Sequence, residues 1–199
     1  MVTVRQIERF WNAKSYKRLA QDLMAARPEG AFALEGLERP FIVASLAMVR
    51  LEELNQGHLP FYTKLLRAVL AAQDADGGWG DPAATALCVR ALLCGRGDGP
   101  AIERGMGYLA NLQKSEGIWP AGPLRRMPED PVASLFTLYE LGDNARFREA
   151  VRFDDAVGWF ESNLTLLGRE CRGLWEWASL RCRTYVVPGR VVQTGLFAA

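Results

Sequence analysis

The chain has 199 residues, 49% apolar and 24% charged, and its 24 basic and 23 acidic side chains leave a formal net charge of +1. That is the composition of one globular domain with a sizeable core. It gives no electrostatic ground for binding nucleic acid or an anionic membrane surface. No apolar run approaches the ~20 residues of a transmembrane segment, and Met1–Glu8 lacks the apolar stretch of a secretory signal. The default expectation is a cytoplasmic protein.

In chain order, residues 4–26 read as a helix interrupted near Asn12–Ser15 and ended by Pro28 and Gly30. Gly30-Ala31-Phe32 follows as a Gly-x-aromatic turn. Beyond Pro40, Phe41–Leu54 is apolar on nearly every face, the pattern of a helix buried all round. Phe61–Gln73 is different: Phe61, Leu65, Val69 and Ala72 form one stripe, and Lys64 and Arg67 lie off it. After a turn ending in Gly77-Gly78-Trp79, Asp81 as N-cap and Pro82 at the first helical position open a second nearly all-apolar helix, Ala83–Cys94. Ile102, Met106, Leu109 and Leu112 mark another amphipathic helix, which ends at Gln113. Gly117-Ile118-Trp119 and a loop rich in Pro and Arg lead to Asp130-Pro131, where the helix start repeats above a stripe of Val132, Leu135, Phe136 and Tyr139. Phe153, Ala156, Val157, Phe160, Leu164 and Leu167 give a third amphipathic helix. Gly173-Leu174-Trp175 then reads as a last turn, before a helix to about Arg183. In the tail, 184–199, β-branched residues flank Pro188-Gly189, a type II turn signal that suits a hairpin or an extended strap.

Gln73 and Gln113, Gly77 and Gly117, and Trp79 and Trp119 are each forty residues apart. A fixed period of that size marks stacked supersecondary units. A second register agrees, because Ala44-Ser45, Ala84-Thr85 and Ala133-Ser134 occupy the same place in three apolar helices. The predicted fold is all-α: one domain over 1–199, with about four α-hairpins in residues 15–183, amphipathic members outside and apolar members inside.

The Gln-x5-Trp segment with its internal Gly, followed by a capped apolar helix, resembles the repeat of squalene–hopene cyclases and protein prenyltransferase β subunits. The resemblance implies a partial α/α toroid, a crescent that a second copy would help to enclose in a homodimer. It also implies that Gln73, Gly77, Trp79, Gln113, Gly117 and Trp119 staple one outer helix to the next turn. Cyclases of that family protonate their substrate with an Asp-x-Asp-Asp motif. Met127-Pro128-Glu129-Asp130 keeps only its final acidic pair. Glu129 and Asp130 would act as general acid if one carboxyl held a shared proton; alternatively Asp130-Pro131 is a helix cap like Asp81-Pro82. Prenyltransferases hold zinc with Asp, Cys and His. Here the single histidine, His58, sits in a loop, and Cys88, Cys94, Cys171 and Cys182 lack metal-site spacing, so neither metal nor cofactor is expected.

Arg50 and Arg90, again forty apart, are each the one charge in the body of an apolar helix. Facing inward they would bind an anion; at a helix end they would offset its dipole. The primary functional reading is a module that binds an isoprenoid-like or other apolar small molecule, or a protein partner, on its concave face. Ser45, Arg50, Thr85, Arg90, Ser134 and Trp175 are the candidate ligand contacts. The alternatives are a reduced terpene-cyclase-like enzyme and a structural subunit that docks through an open ring edge.

Overall fold

A computed structural model describes residues 39–95, 99–121, 129–187 and 190–193. The expected N-terminal helix, the Gly30–Phe32 turn, Met127 and the Pro188-Gly189 turn lie outside the described residues. The described chain is all-α apart from a short terminal ladder. Its helices are α1 (Pro40–Glu53), α2 (Tyr62–Ala71), α3 (Pro82–Cys94), α4 (Gly99–Leu112), α5 (Asp130–Leu141), α6 (Ala145–Ala150), α7 (Phe153–Asn163) and α8 (Arg169–Arg183). Strands β1 (Thr184–Val187) and β2 (Arg190–Gln193) pair antiparallel, with Tyr185 opposite Val192.

Apolar patterning decides which helices lie inside. In α1 every residue from Ile42 to Met48 is buried, and α3 buries Pro82 to Val89 without a break. By contrast α2 buries only Tyr62, Leu65 and Val69, and α4 buries Ala101, Ile102, Gly105, Met106 and Leu109 along one stripe. The inner helices pack in series, α1 on α3, α3 on α5 and α5 on α8, while α2 leans on α1 and α4 on α3. Trp79 and Trp119 are among the largest fully buried side chains. Burying about 200 Å² of indole contributes up to about 5 kcal/mol at each.

Two local features depart from the sequence reading. Gly173-Leu174-Trp175 is no turn: all three residues lie within α8. Cys171, Trp175, Ala178 and Cys182 are buried at helical spacing, and that stripe outweighs the ~1 kcal/mol that a mid-helix glycine costs. The chain turns instead through Leu167-Gly168, after a 3-10 turn at Leu164–Leu166. Helix α6 was not foreseen. The Asn144 side chain caps it by accepting from the Phe147 amide at 3.0 Å, and the Phe147 ring stacks on Trp119 with centroids 6.0 Å apart.

Candidate functional site

The two clear repeats share the hydrogen bonds of the glutamine nitrogen, the indole and the tryptophan amide. Gln73 Nε2 donates to the carbonyls of Gly77 and Ala101, both at 2.9 Å, so the end of α2 is tied to its own turn and to the first turn of α4. Gln113 Nε2 donates to Gly117 O at 2.6 Å and Arg152 O at 2.9 Å, which ties α4 to the start of α7 in the same way. Each indole reaches back to its own outer helix, Trp79 Nε1 to Val69 O and Trp119 Nε1 to Leu109 O, both at 2.7 Å. Each tryptophan amide donates forward to a hydroxyl of the next inner helix, Thr85 Oγ1 at 2.9 Å or Ser134 Oγ at 2.8 Å. Gly77 and Gly117 adopt φ of +91° and +92°, which favours glycine. They also let the next outer helix sit directly on the turn. A Cβ at Gly77 would lie 2.6 Å from Arg104 O, and one at Gly117 would lie 2.7 Å from the Asp155 carbonyl carbon.

That arrangement fixes where the candidate ligand contacts lie. Ser45, Thr85 and Ser134 are all fully buried, with Ser45 Oγ donating to Cys88 Sγ at 3.4 Å. Thr85 and Ser134 accept the Trp79 and Trp119 amides, so all three hydroxyls are taken up in the protein's own packing. Trp175 is buried too, stacked on Phe160 at 5.2 Å. Arg50 lies in the last turn of α1 and pairs with Glu53 at 2.8 Å on the surface. Arg90 does not lie in a last turn; it reaches across to Asp143.

The acidic pair at the start of α5 divides. Glu129 is the N-cap residue but makes no side-chain cap bond. Asp130 Oδ1 accepts from the Ala121 amide at 2.7 Å, and Oδ2 accepts from Lys114 Nζ. The lysine bond holds the Asp130 carboxyl below the ordinary carboxylate range, the opposite of the direction a general acid requires. Asp81, its counterpart, does cap α3, accepting from the Ala84 amide at 2.8 Å while Arg39 bonds its other oxygen at 2.9 Å.

The structure also assembles a polar cluster that sequence reasoning missed. Toward the C-terminal ends of α3, α5 and α8, Arg90 and Arg181 converge on one carboxylate. Arg90 Nη1 is 3.3 Å from Asp143 Oδ1, and Arg181 Nη2 is 2.9 Å from Oδ2. The Arg181 guanidinium also lies over the Tyr139 ring, 5.0 Å from its centroid. Beside them Glu140 is only 2% exposed, and its Oε1 has no hydrogen-bond partner among the described residues. Burial pushes the Glu140 carboxyl up to about 7; Arg181 and Arg90 oppose the rise, and Asp143 and Glu53 add to it. Such a group can hold or release a proton near neutrality. A signal for it was present in the sequence, since Glu140, like Arg90, is a lone charge late in an apolar helix.

Among the described residues no group of three His, Cys, Asp or Glu side chains is placed to hold a metal ion, and no helix is long and apolar enough to cross a membrane. Comparison of the chain with protein-family models, with curated proteins and with solved structures returns no match.

Proposed function

We propose that the chain is a helical-repeat binding module, a crescent built like the repeats of squalene–hopene cyclases and prenyltransferase β subunits. It would hold an isoprenoid-like or other apolar molecule, or the apolar face of a protein partner, against its inner helices. The observation that supports this reading is the repetition of the Gln–Gly–Trp–hydroxyl staple, with the same glutamine-nitrogen, indole and tryptophan-amide bonds in both copies. It ties each turn to the next inner helix in the same way, which is how repeat proteins build extended recognition surfaces. The cyclase-like alternative, with Glu129 and Asp130 as acid, has less support, because Lys114 and the Ala121 amide occupy the Asp130 carboxylate. The docking-subunit alternative has one observation in its favour: Trp177 on α8, the last inner helix in the series, is 41% exposed.

Native mass spectrometry of the full chain purified from its own host tests the proposal. A copurified apolar molecule or a stoichiometric partner is the expected result. Bare protein at every concentration, with no adduct and no partner, would overturn it. Glu129→Gln and Asp130→Asn, assayed against any copurified ligand, separate binding from turnover.

A further inference from the structure

We propose that the Glu140 cluster is a proton-operated latch on the turn between α5 and α6. With Glu140 protonated, Arg90 and Arg181 hold Asp143; with Glu140 ionised, its carboxylate draws both arginines away and releases that turn. The inference stands apart from the binding reading and rests on where the two carboxylates sit. Asp143 keeps 20% of its side chain in solvent, so it can be hydrated when its partners leave. Glu140 is 2% exposed, and an ionised carboxylate at such depth must be paired. The arginines therefore follow the deeper charge. Glu140 Oε1 is buried without a hydrogen-bond partner among the described residues, so it has a vacant acceptor for them.

Charged and titratable groups face Glu140 from each element around it. Helix α3 supplies Arg90 and Cys94, α1 supplies Glu53, α8 supplies Arg181, and α5 with its turn supplies Tyr139 and Asp143, while Cys182 of α8 stands beside Asp143 and Arg181. Burial raises the Cys94 thiol and the Tyr139 hydroxyl and pushes the Cys182 thiol up to about 12, so these three stay protonated across the neutral range. Glu140 is left as the group that titrates there. Arg148 is the mechanical link. Its Nε donates to Gly142 O at 2.7 Å and its Nη2 donates to Cys182 O, so the turn stays tethered to α8 at Gly142 and release is confined to Asp143 and the residues after it.

Release has a defined size. If the released state returns Glu140 from about 7 to the ordinary 4.5, the open-to-closed ratio rises by up to about 300-fold between mildly acidic and mildly alkaline solution. The test is carboxyl-detected NMR of the full chain through this range, combined with exchange of the Gly142 and Asn144 amides, which bond Leu138 O and Leu141 O, corrected for its intrinsic pH dependence. The expected result is a Glu140 midpoint near neutrality and Asn144 protection that falls in step with it. Glu140→Gln should keep the turn protected at every pH, and Asp143→Asn should leave it unprotected at every pH. A Glu140 midpoint in the ordinary carboxylate range would overturn the proposal. So would the same pH-dependent opening in Glu140→Gln.

Discussion

The two glutamine staples look equivalent, yet they should not contribute equally to stability, and the difference can be worked out. Both amide nitrogens donate to two carbonyls, one in the turn and one at the next outer helix. The amide oxygens differ. Gln73 Oε1 accepts from the exposed Arg104 guanidinium, which water replaces at little cost. Gln113 Oε1 accepts from the Arg152 backbone amide at 2.8 Å, one of the donors at the start of α7 that the helix itself cannot satisfy. At about 1 kcal/mol net for each neutral bond, Gln73→Ala should cost about 2 kcal/mol. Gln113→Ala loses a third bond that water does not replace and strands the Arg152 amide, for a total of about 3–4 kcal/mol. Urea unfolding of the full chain, followed by tryptophan fluorescence and by helical circular dichroism, reads both values, provided the m-value is unchanged. If Gln73→Ala proves as damaging as Gln113→Ala, the assignment of the excess to the Arg152 amide is wrong.

Further outcomes follow from the same geometry. Gly77→Ala and Gly117→Ala should each destabilise the chain by more than about 2 kcal/mol, since left-handed strain adds to contacts of 2.6–2.7 Å with the backbone of the next outer helix; thermal unfolding measures both, and a neutral effect at either site would contradict the seating described. For Glu140, a folded-state value raised to about 7 from 4.5 means that its contribution is fully present below about pH 4.5 and is lost as pH rises through about 7. Wild type should therefore lose up to about 3 kcal/mol of stability across that window, less to the extent that release of the turn relieves the buried charge, and denaturant midpoints of Glu140→Gln should stay flat. Arg50→Ala removes only an exposed i,i+3 pair with Glu53 and should shift stability by less than roughly 0.5 kcal/mol; a larger loss would mean that Arg50 has a buried role.

What was legible in the sequence was whatever the sequence repeats. Gln73, Gly77 and Trp79 recur as Gln113, Gly117 and Trp119, and their hydrogen bonds recur with them. The apolar faces of α1 and α3 likewise announced helices buried all round. Legibility ended where the pattern became singular. Gly173 was read as a turn because a Gly-x-Trp spacing had twice meant one, but no Gln stands six residues before Trp175 to close it. The buried spacing from Cys171 to Cys182 carries the helix through. Asp130 was read as a second Asp81. Its side chain instead turns back to Ala121 and Lys114, contacts made across a loop that has no counterpart after Trp79.

The cluster around Glu140 was hidden for a different reason. Arg90, Asp143 and Arg181 come from three segments, 53 and 38 residues apart from aspartate to arginine. No local pattern links them, and only the packing of α3, α5 and α8 in series brings them together. The inner helices are thus secured in two ways. At the first turns of α3 and α5, neutral hydrogen bonds from Trp79 and Trp119 to Thr85 and Ser134 repeat with the chain and do not respond to pH. An ion pair, Arg39–Asp81, also joins α1 to α3 at that end, but only near the C-terminal ends of α3, α5 and α8, among the described residues, do two arginines share one carboxylate beside a buried carboxyl that changes charge near neutrality. A protein secured in this way should respond to pH at one end of its inner layer and hold firm at the other. The staple turns therefore serve as the internal reference against which movement of the α5–α6 turn is read.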